Sequence, residues 1–443
     1  MEPRTLGLPA LALLIVLVTL LAGCTSAPGI TGTQITPPAG QIPASTSSLG
    51  GNENASVASA AADVAANNRF ARDLYVQLAS DPLNAGSNIF FSPFSISSAL
   101  AITYEGARGT TADEIRSVFY FPADNATLRE GFSLVNAGIN SENSGYTLNT
   151  ANALWAEKSY KFLPDYIATA GQWYSANVTN LDFISQPEVS RQTINGWVAD
   201  RTHDKIQDLL PEGSIDQLTR LVITNAVYFK GTWVKQFNTN DTQDADFHIS
   251  PQKTVTVKMM QRTDEDAVYP YAETADLQML SMPYAHGTGS GLSMIVILPQ
   301  NDSLAPGVAV LDPQNLSTLE QSASSRRVMV YFPKFELNTQ YDLSGTLAAM
   351  GMPTAFSTAA DFSGMDGARD MYISEVVHKA FVNVNEEGTE AAAATGVVMR
   401  AMAIAHEEPV PVFRADHPFL FLIQDNETGA ILFVGRVVNP NST

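Results

Sequence analysis

The stretch Asn385–Ala405, N-E-E-G-T-E-A-A-A-A-T-G-V-V-M-R-A-M-A-I-A, most restricts what this chain can become. It follows a strand-like run ending at Val384 and precedes two apolar segments near the C-terminus, and from Ala391 to Met399 it carries no charge. Four successive alanines favour a helix, with Thr389 and Glu390 near its start. The same residues also suit a loop that changes state. Thr389, Ala391, Ala393 and Thr395 alternate, so in a strand they share one face. All four are small enough to enter an existing sheet without overpacking it. Fourteen strand residues span about 46 Å, enough to carry an attached body across most of a domain.

The remainder of the chain from about residue 60 reads as one globular domain, 60–443. Phe70, Leu74 and Leu78 recur every four residues, as on the apolar stripe of a helix. Strand-like runs occur at Leu221–Phe229, Leu292–Leu298, Val328–Phe332 and Val376–Val384, and Phe419–Ile423 with Ala430–Val434 forms a hairpin pattern. Helical and strand patterns mix without βαβ alternation, which predicts an α+β fold. There is no internal repeat.

The N-terminus has another character. Arg4 precedes an uncharged apolar run from Leu6 to Gly23, and Leu21-Ala22-Gly23-Cys24 resembles a lipoprotein cleavage box. Residues 1–23 are therefore expected to be a signal peptide, with Cys24 lipidated, or a retained membrane anchor. Residues 24–59, rich in Ser, Thr, Pro, Gly and Ala, read as a flexible linker reaching at most ~115 Å. Both readings tether the domain at the extracellular face of a membrane, unless it is released by secretion. Eight Asn-x-Ser/Thr acceptors (Asn54, Asn125, Asn177, Asn240, Asn301, Asn315, Asn426 and Asn441) are compatible with a secreted glycoprotein.

Net charge is −20 with no basic cluster, which argues against nucleic acid as a partner. Cys24 is the single cysteine, so no internal disulfide or cysteine zinc cluster is expected. The six histidines show no metal-ligand spacing, and no metal or other cofactor is expected. The chain lacks a G-x-S-x-G elbow, a phosphate loop, H-E-x-x-H and a dinucleotide fingerprint, so it is not expected to be an enzyme. The one hydrolase arrangement to weigh sets Ser92 or Ser95 against His378, as in a lipid-anchored serine hydrolase. Ser-Pro-Phe-Ser lacks the strained turn such a nucleophile needs.

Glu386-x-Gly388-Thr389-Glu390-Ala391-Ala392-Ala393-Ala394-Thr395 resembles the hinge of inhibitory serpins. The likeness extends in order through Asn88–Ile96, Gly106–Thr111, Asn152–Trp155, Ile194–Val198, Leu221–Trp233, Phe332–Phe335, His378–Ala380, Asp416–Phe421 and Gly435–Val437. The resemblance implies a serpin fold with three β-sheets, eight to nine helices and an exposed reactive loop near the C-terminus. It implies a monomeric suicide inhibitor of serine proteases. The loop is cleaved, an acyl-enzyme forms, and the loop then joins the large sheet as a new strand. Gly388, Thr389, Glu390, Ala391, Ala392, Ala393, Ala394 and Thr395 would form the hinge. Ser92, Ser95, Asn225 and His378 would form a polar shutter under the parting strands, and Trp233, Lys334 and Glu386 the breach where insertion begins. Counting from Gly388 sets the reactive bond at Met402–Ala403, suited to an elastase-, chymotrypsin- or subtilisin-like protease; Arg400 is the trypsin-like alternative. A non-inhibitory serpin acting as a binding or chaperone module is the main rival.

Overall fold

A computed structural model describes residues 53–442 except 141–144, 289, 302 and 390–408. The described residues form ten α-helical segments, where the resemblance implied eight or nine; the shortest, Ser363–Asp366, is a single turn. They also form three β-sheets, of seven, four and six strands.

Helix α1, Glu53–Ser80, carries Phe70, Leu74 and Leu78, all buried as their spacing predicts. It begins inside the tract read as linker. Helix α2, Pro93–Gly106, is buried at every position. Its Ser and Ala content makes it thin enough to run through the core between α1 and the six-stranded sheet. Pro93 fits the first turn, where no N–H is needed, and the Ser92 hydroxyl caps the helix by accepting from the Ser95 amide at 3.2 Å.

Helix α3, Asn125–Ile139, packs on α1 around an unusual group, Asp63. Neither Asp63 carboxylate oxygen makes a well-formed hydrogen bond, and a Cβ built on Gly131 would lie 2.1 Å from Oδ2. Only glycine leaves room there. Burial pushes the Asp63 pKa up to about 8, with the Phe132 amide offsetting part of the rise. The native state thus holds this carboxyl neutral while the unfolded chain ionises it. Its favourable contribution is complete below pH ~4 and is lost as pH rises through about 8. Asp63→Asn is expected to raise unfolding free energy by up to about 4 kcal/mol near pH 7.5 and by little at pH 4. Urea denaturation at the two pH values checks it; equal effects at both would remove the titration argument.

The six-stranded sheet positions the site. Its strands are β1 (Tyr146–Glu157), β2 (Asn177–Leu181), β3 (Leu221–Thr232), β4 (Phe335–Asp342), β5 (Ile373–Val384) and the two-residue β6 (Gly388–Thr389). Their spatial order is β4-β5-β6-β3-β1-β2. Leu221–Phe229 is buried throughout, because the sheet is covered on both faces; hence the continuous apolar run instead of alternation. Helices α4, Pro164–Tyr174, and α5, Pro187–Arg201, flank the β1–β2 edge.

The other predicted runs are strands Leu292–Pro299, Met329–Pro333, Phe419–Asp425 and Ile431–Val437, the last two an antiparallel hairpin.

Candidate functional site

Strands β3 and β5 form a parallel ladder from Ile373↔Leu221 to Phe381↔Tyr228, with a bulge at Ile373/Glu375. Above this closed stretch they part, and β6 occupies the gap. Gly388 pairs with Thr232, Thr389 with Gly231, and Thr389 also with Val384, all antiparallel. The sheet is thus a fork with two residues already in it. Gly388 and Thr389, just ahead of the alanines, are strand. Glu390, Ala391, Ala392, Ala393, Ala394, Thr395, Arg400, Met402 and Ala403 lie outside the described residues.

Gly388 has φ +152°, and a Cβ there would sit 2.0 Å from the Gly231 carbonyl oxygen. Any side chain would force the strands apart. Thr389 is wholly buried and its hydroxyl lies 2.9 Å from the Tyr284 hydroxyl. Tyr284 stacks on Trp233, with ring centroids 4.4 Å apart, and burial raises its pKa far above the usual phenol value, so it stays protonated. Trp233 in turn donates its indole N–H to the Asn385 carbonyl at 3.1 Å and its backbone N–H to the Glu387 carbonyl at 2.9 Å. Glu386 binds Lys334 Nζ at 2.7 Å and accepts from Thr242 Oγ1 at 2.8 Å. Burial alone would raise the Glu386 pKa, but these hydrogen bonds outweigh it and hold the carboxyl below its usual range. The predicted breach trio Trp233, Lys334 and Glu386 therefore anchors the turn that feeds β6. Tyr284 and Thr242 belong to it as well.

Halfway down the fork lies the polar cluster. His378 and Asn225 are direct partners across β5 and β3. His378 Nε2 accepts the Ser92 backbone N–H at 3.1 Å, so Nδ1 carries the proton and donates to Asn225 Oδ1. The Asn225 amide donates to Ser95 Oγ and to Asn152 Oδ1, and Ser95 Oγ donates to Asn152 Oδ1 at 3.0 Å. The four predicted shutter residues thus meet, and Asn152 completes them. The Ser92 hydroxyl is spent on its helix cap and His378 receives only a backbone N–H, so no serine–histidine nucleophile pair exists here.

Burial pulls the His378 pKa down to about 3, a backbone contact at Asn225 opposing this in part. The histidine is neutral when folded and protonates near pH 6.5 when unfolded. Its contribution is complete above pH ~6.5 and drains as pH falls toward 3, at up to about 1.4 kcal/mol per unit. Asn225→Ala, which orphans buried groups on three partners, is expected to cost about 2–4 kcal/mol. Denaturation at pH 7.5 measures it, and a loss below about 1 kcal/mol would mean the cluster carries little.

The sequence model "Serpin (serine protease inhibitor)" matches residues 65–440. The chain is 44% identical over 388 residues to the leukocyte elastase inhibitor of Bos taurus, covering 85% of this chain and 99% of that protein. It is 42% identical over 378 residues to an uncharacterized serpin-like protein of Methanosarcina acetivorans, covering 85% and 87%. The crystal structure of uncleaved ovalbumin superposes with a TM-score of 0.74 at 31% identity, over 86% of this chain and all of that one.

Proposed function

Because the chain belongs to the serpin family of serine protease inhibitors, we propose that it inhibits a serine endopeptidase by suicide-substrate trapping. The target protease attacks the segment after Thr389 as substrate, and its serine is acylated while the peptide bond's amine leaves. The freed segment then zips between β3 and β5 before water can hydrolyse the ester.

The observation that supports this most is the fork: β6 already lies between the two strands while the ladder below is still closed. Continuing both β6 ladders without a bulge sets Thr395 opposite Asn225 on one side and His378 on the other. A hydroxyl thus arrives where the polar cluster is split, and can replace the bonds it breaks. The inward residues after Thr389 are Ala391, Ala393, Thr395, Val397 and Met399, all uncharged. Met399 would pair with Leu221 at the end of β3, and Met402 would emerge three residues further. A protease joined to Met402 would travel roughly 40 Å along the sheet.

We assign Met402–Ala403 as the cleaved bond and an elastase-, chymotrypsin- or subtilisin-like enzyme as the partner. The unbranched apolar Met402 fits such a pocket, and the bovine relative's name points to elastase. The inhibitor acts as a monomer, tethered through Cys24 or a retained N-terminal anchor outside the cell.

Mixing the protein with pancreatic elastase or subtilisin tests this. The expected product is a complex that survives boiling in detergent, and mass spectrometry should place the released fragment's N-terminus at Ala403. Cleavage with no complex would instead make the chain a binding module. A fragment beginning at Ala401 would move the bond to Arg400.

A further inference from the structure

Beside the β1–β2 edge lies a cavity of about 630 Å³, bounded by α3, α4, α5 and the two strands. This is within the ~300–1,000 Å³ usual for small-ligand sites. Its chemistry is unlike the rest of the protein. The chain carries 45 acidic residues, yet among the described residues the cavity lining holds no carboxylate, and Arg201 is its one charged residue. By contrast the cavity of about 510 Å³ at the far end of β5 is lined by Asp216, Asp342 and Glu375.

The lining is built from amides, hydroxyls and indoles. Asn136 and Ser133 come from α3, Gln172 and Trp173 from α4, and Asn177 from β2. Their polar side chains make no hydrogen bond among the described residues. Each amide offers a paired donor and acceptor, which matches vicinal hydroxyls. Trp173 is half-buried on the core beneath it. An indole wall suits the C–H face of a pyranose ring. Arg201 lies over Trp197, 5.6 Å from the ring centre, so its charge is partly engaged.

From this set of groups we infer that the cavity is a binding site for a neutral carbohydrate, a hexose or the end of a neutral oligosaccharide. An anion would find a single arginine, and a cation no carboxylate. An apolar ligand would leave the three amides that have no partner among the described residues (Asn136, Gln172 and Asn177) facing it without compensation. The inference is independent of loop insertion.

The test is titration of the full chain, made without glycosylation because Asn177 sits in an Asn-Val-Thr acceptor. Glucose, galactose, maltose and cellobiose are the probes, with inorganic sulfate as the charged comparator, read by tryptophan fluorescence and calorimetry. At least one sugar is expected to bind saturably and more tightly than sulfate. Trp173→Ala and, separately, the pair Asn136→Ala with Gln172→Ala should each weaken it at least tenfold. The amide pair lies toward solvent and keeps the test open if Trp173→Ala fails to fold. No saturable response to any of the four sugars, tighter binding of sulfate, or unchanged affinity in the amide variant overturns the proposal.

Discussion

Thr389→Arg is expected to convert the protein from inhibitor to substrate: elastase or subtilisin should still cut it, and the detergent-resistant complex should disappear. Thr389 is wholly buried between β5 and β3 with its hydroxyl on Tyr284. An arginine there meets the stacked Trp233–Tyr284 pair. Burying an uncompensated charge costs several kcal/mol. The arginine is expected to leave the gap in the uncut chain, so that its re-entry carries this cost when the segment inserts and slows insertion on the order of a hundred- to a thousandfold. The acyl-enzyme then hydrolyses first. Gel analysis of a protease titration reads the outcome directly. Complex formation at the wild-type proportion would mean that the cost of the charge at position 389 does not fall on the insertion step.

A nick between Glu390 and Glu408 is expected to raise the melting temperature by about 20 °C. Cutting most proteins lowers it. Insertion exchanges one parallel β3–β5 ladder for two antiparallel ones, a net gain on the order of ten strand hydrogen bonds. At about 1 kcal/mol each, partly offset by ordering the backbone, the gain is several to ten kcal/mol. For a domain of this size each kcal/mol moves the midpoint by about 2 °C. Calorimetry of the intact and nicked chain, with nicking confirmed by mass, decides it. An unchanged or lower midpoint would mean the cut segment stays outside the sheet, and trapping would have no driving force.

Much of this was legible in the sequence. The continuous apolar run Leu221–Phe229 announced a strand, and α1 followed from Phe70, Leu74 and Leu78. The four shutter residues came through the family likeness, since a serine pair, an asparagine and a histidine so far apart share no periodicity. Asn152 stood inside a recognised block without a role. Nothing local distinguishes an amide that completes a buried cluster from one that faces solvent. Tyr284 was missed because it reaches Thr389 from a segment about a hundred residues away, next to strand Leu277–Pro283 of another sheet. Nothing in the sequence around Asp63, in an alanine-rich stretch, marks it as buried. Its burial follows from the approach of α3 at Gly131, which helix periodicity does not encode.

The two-residue strand β6 makes the segment behind it a ruler. Its register is fixed on both sides at Gly388 and Thr389, so in the proposed insertion every later position would inherit its facing and its depth by counting alone. One residue added between Thr389 and Thr395 would turn the methyl groups outward and bring the wrong side chain to the polar cluster, although the composition had hardly changed. Under the proposed trapping the length of this tract would matter as strictly as its chemistry, and insertions harmless in an ordinary surface loop would here abolish inhibition.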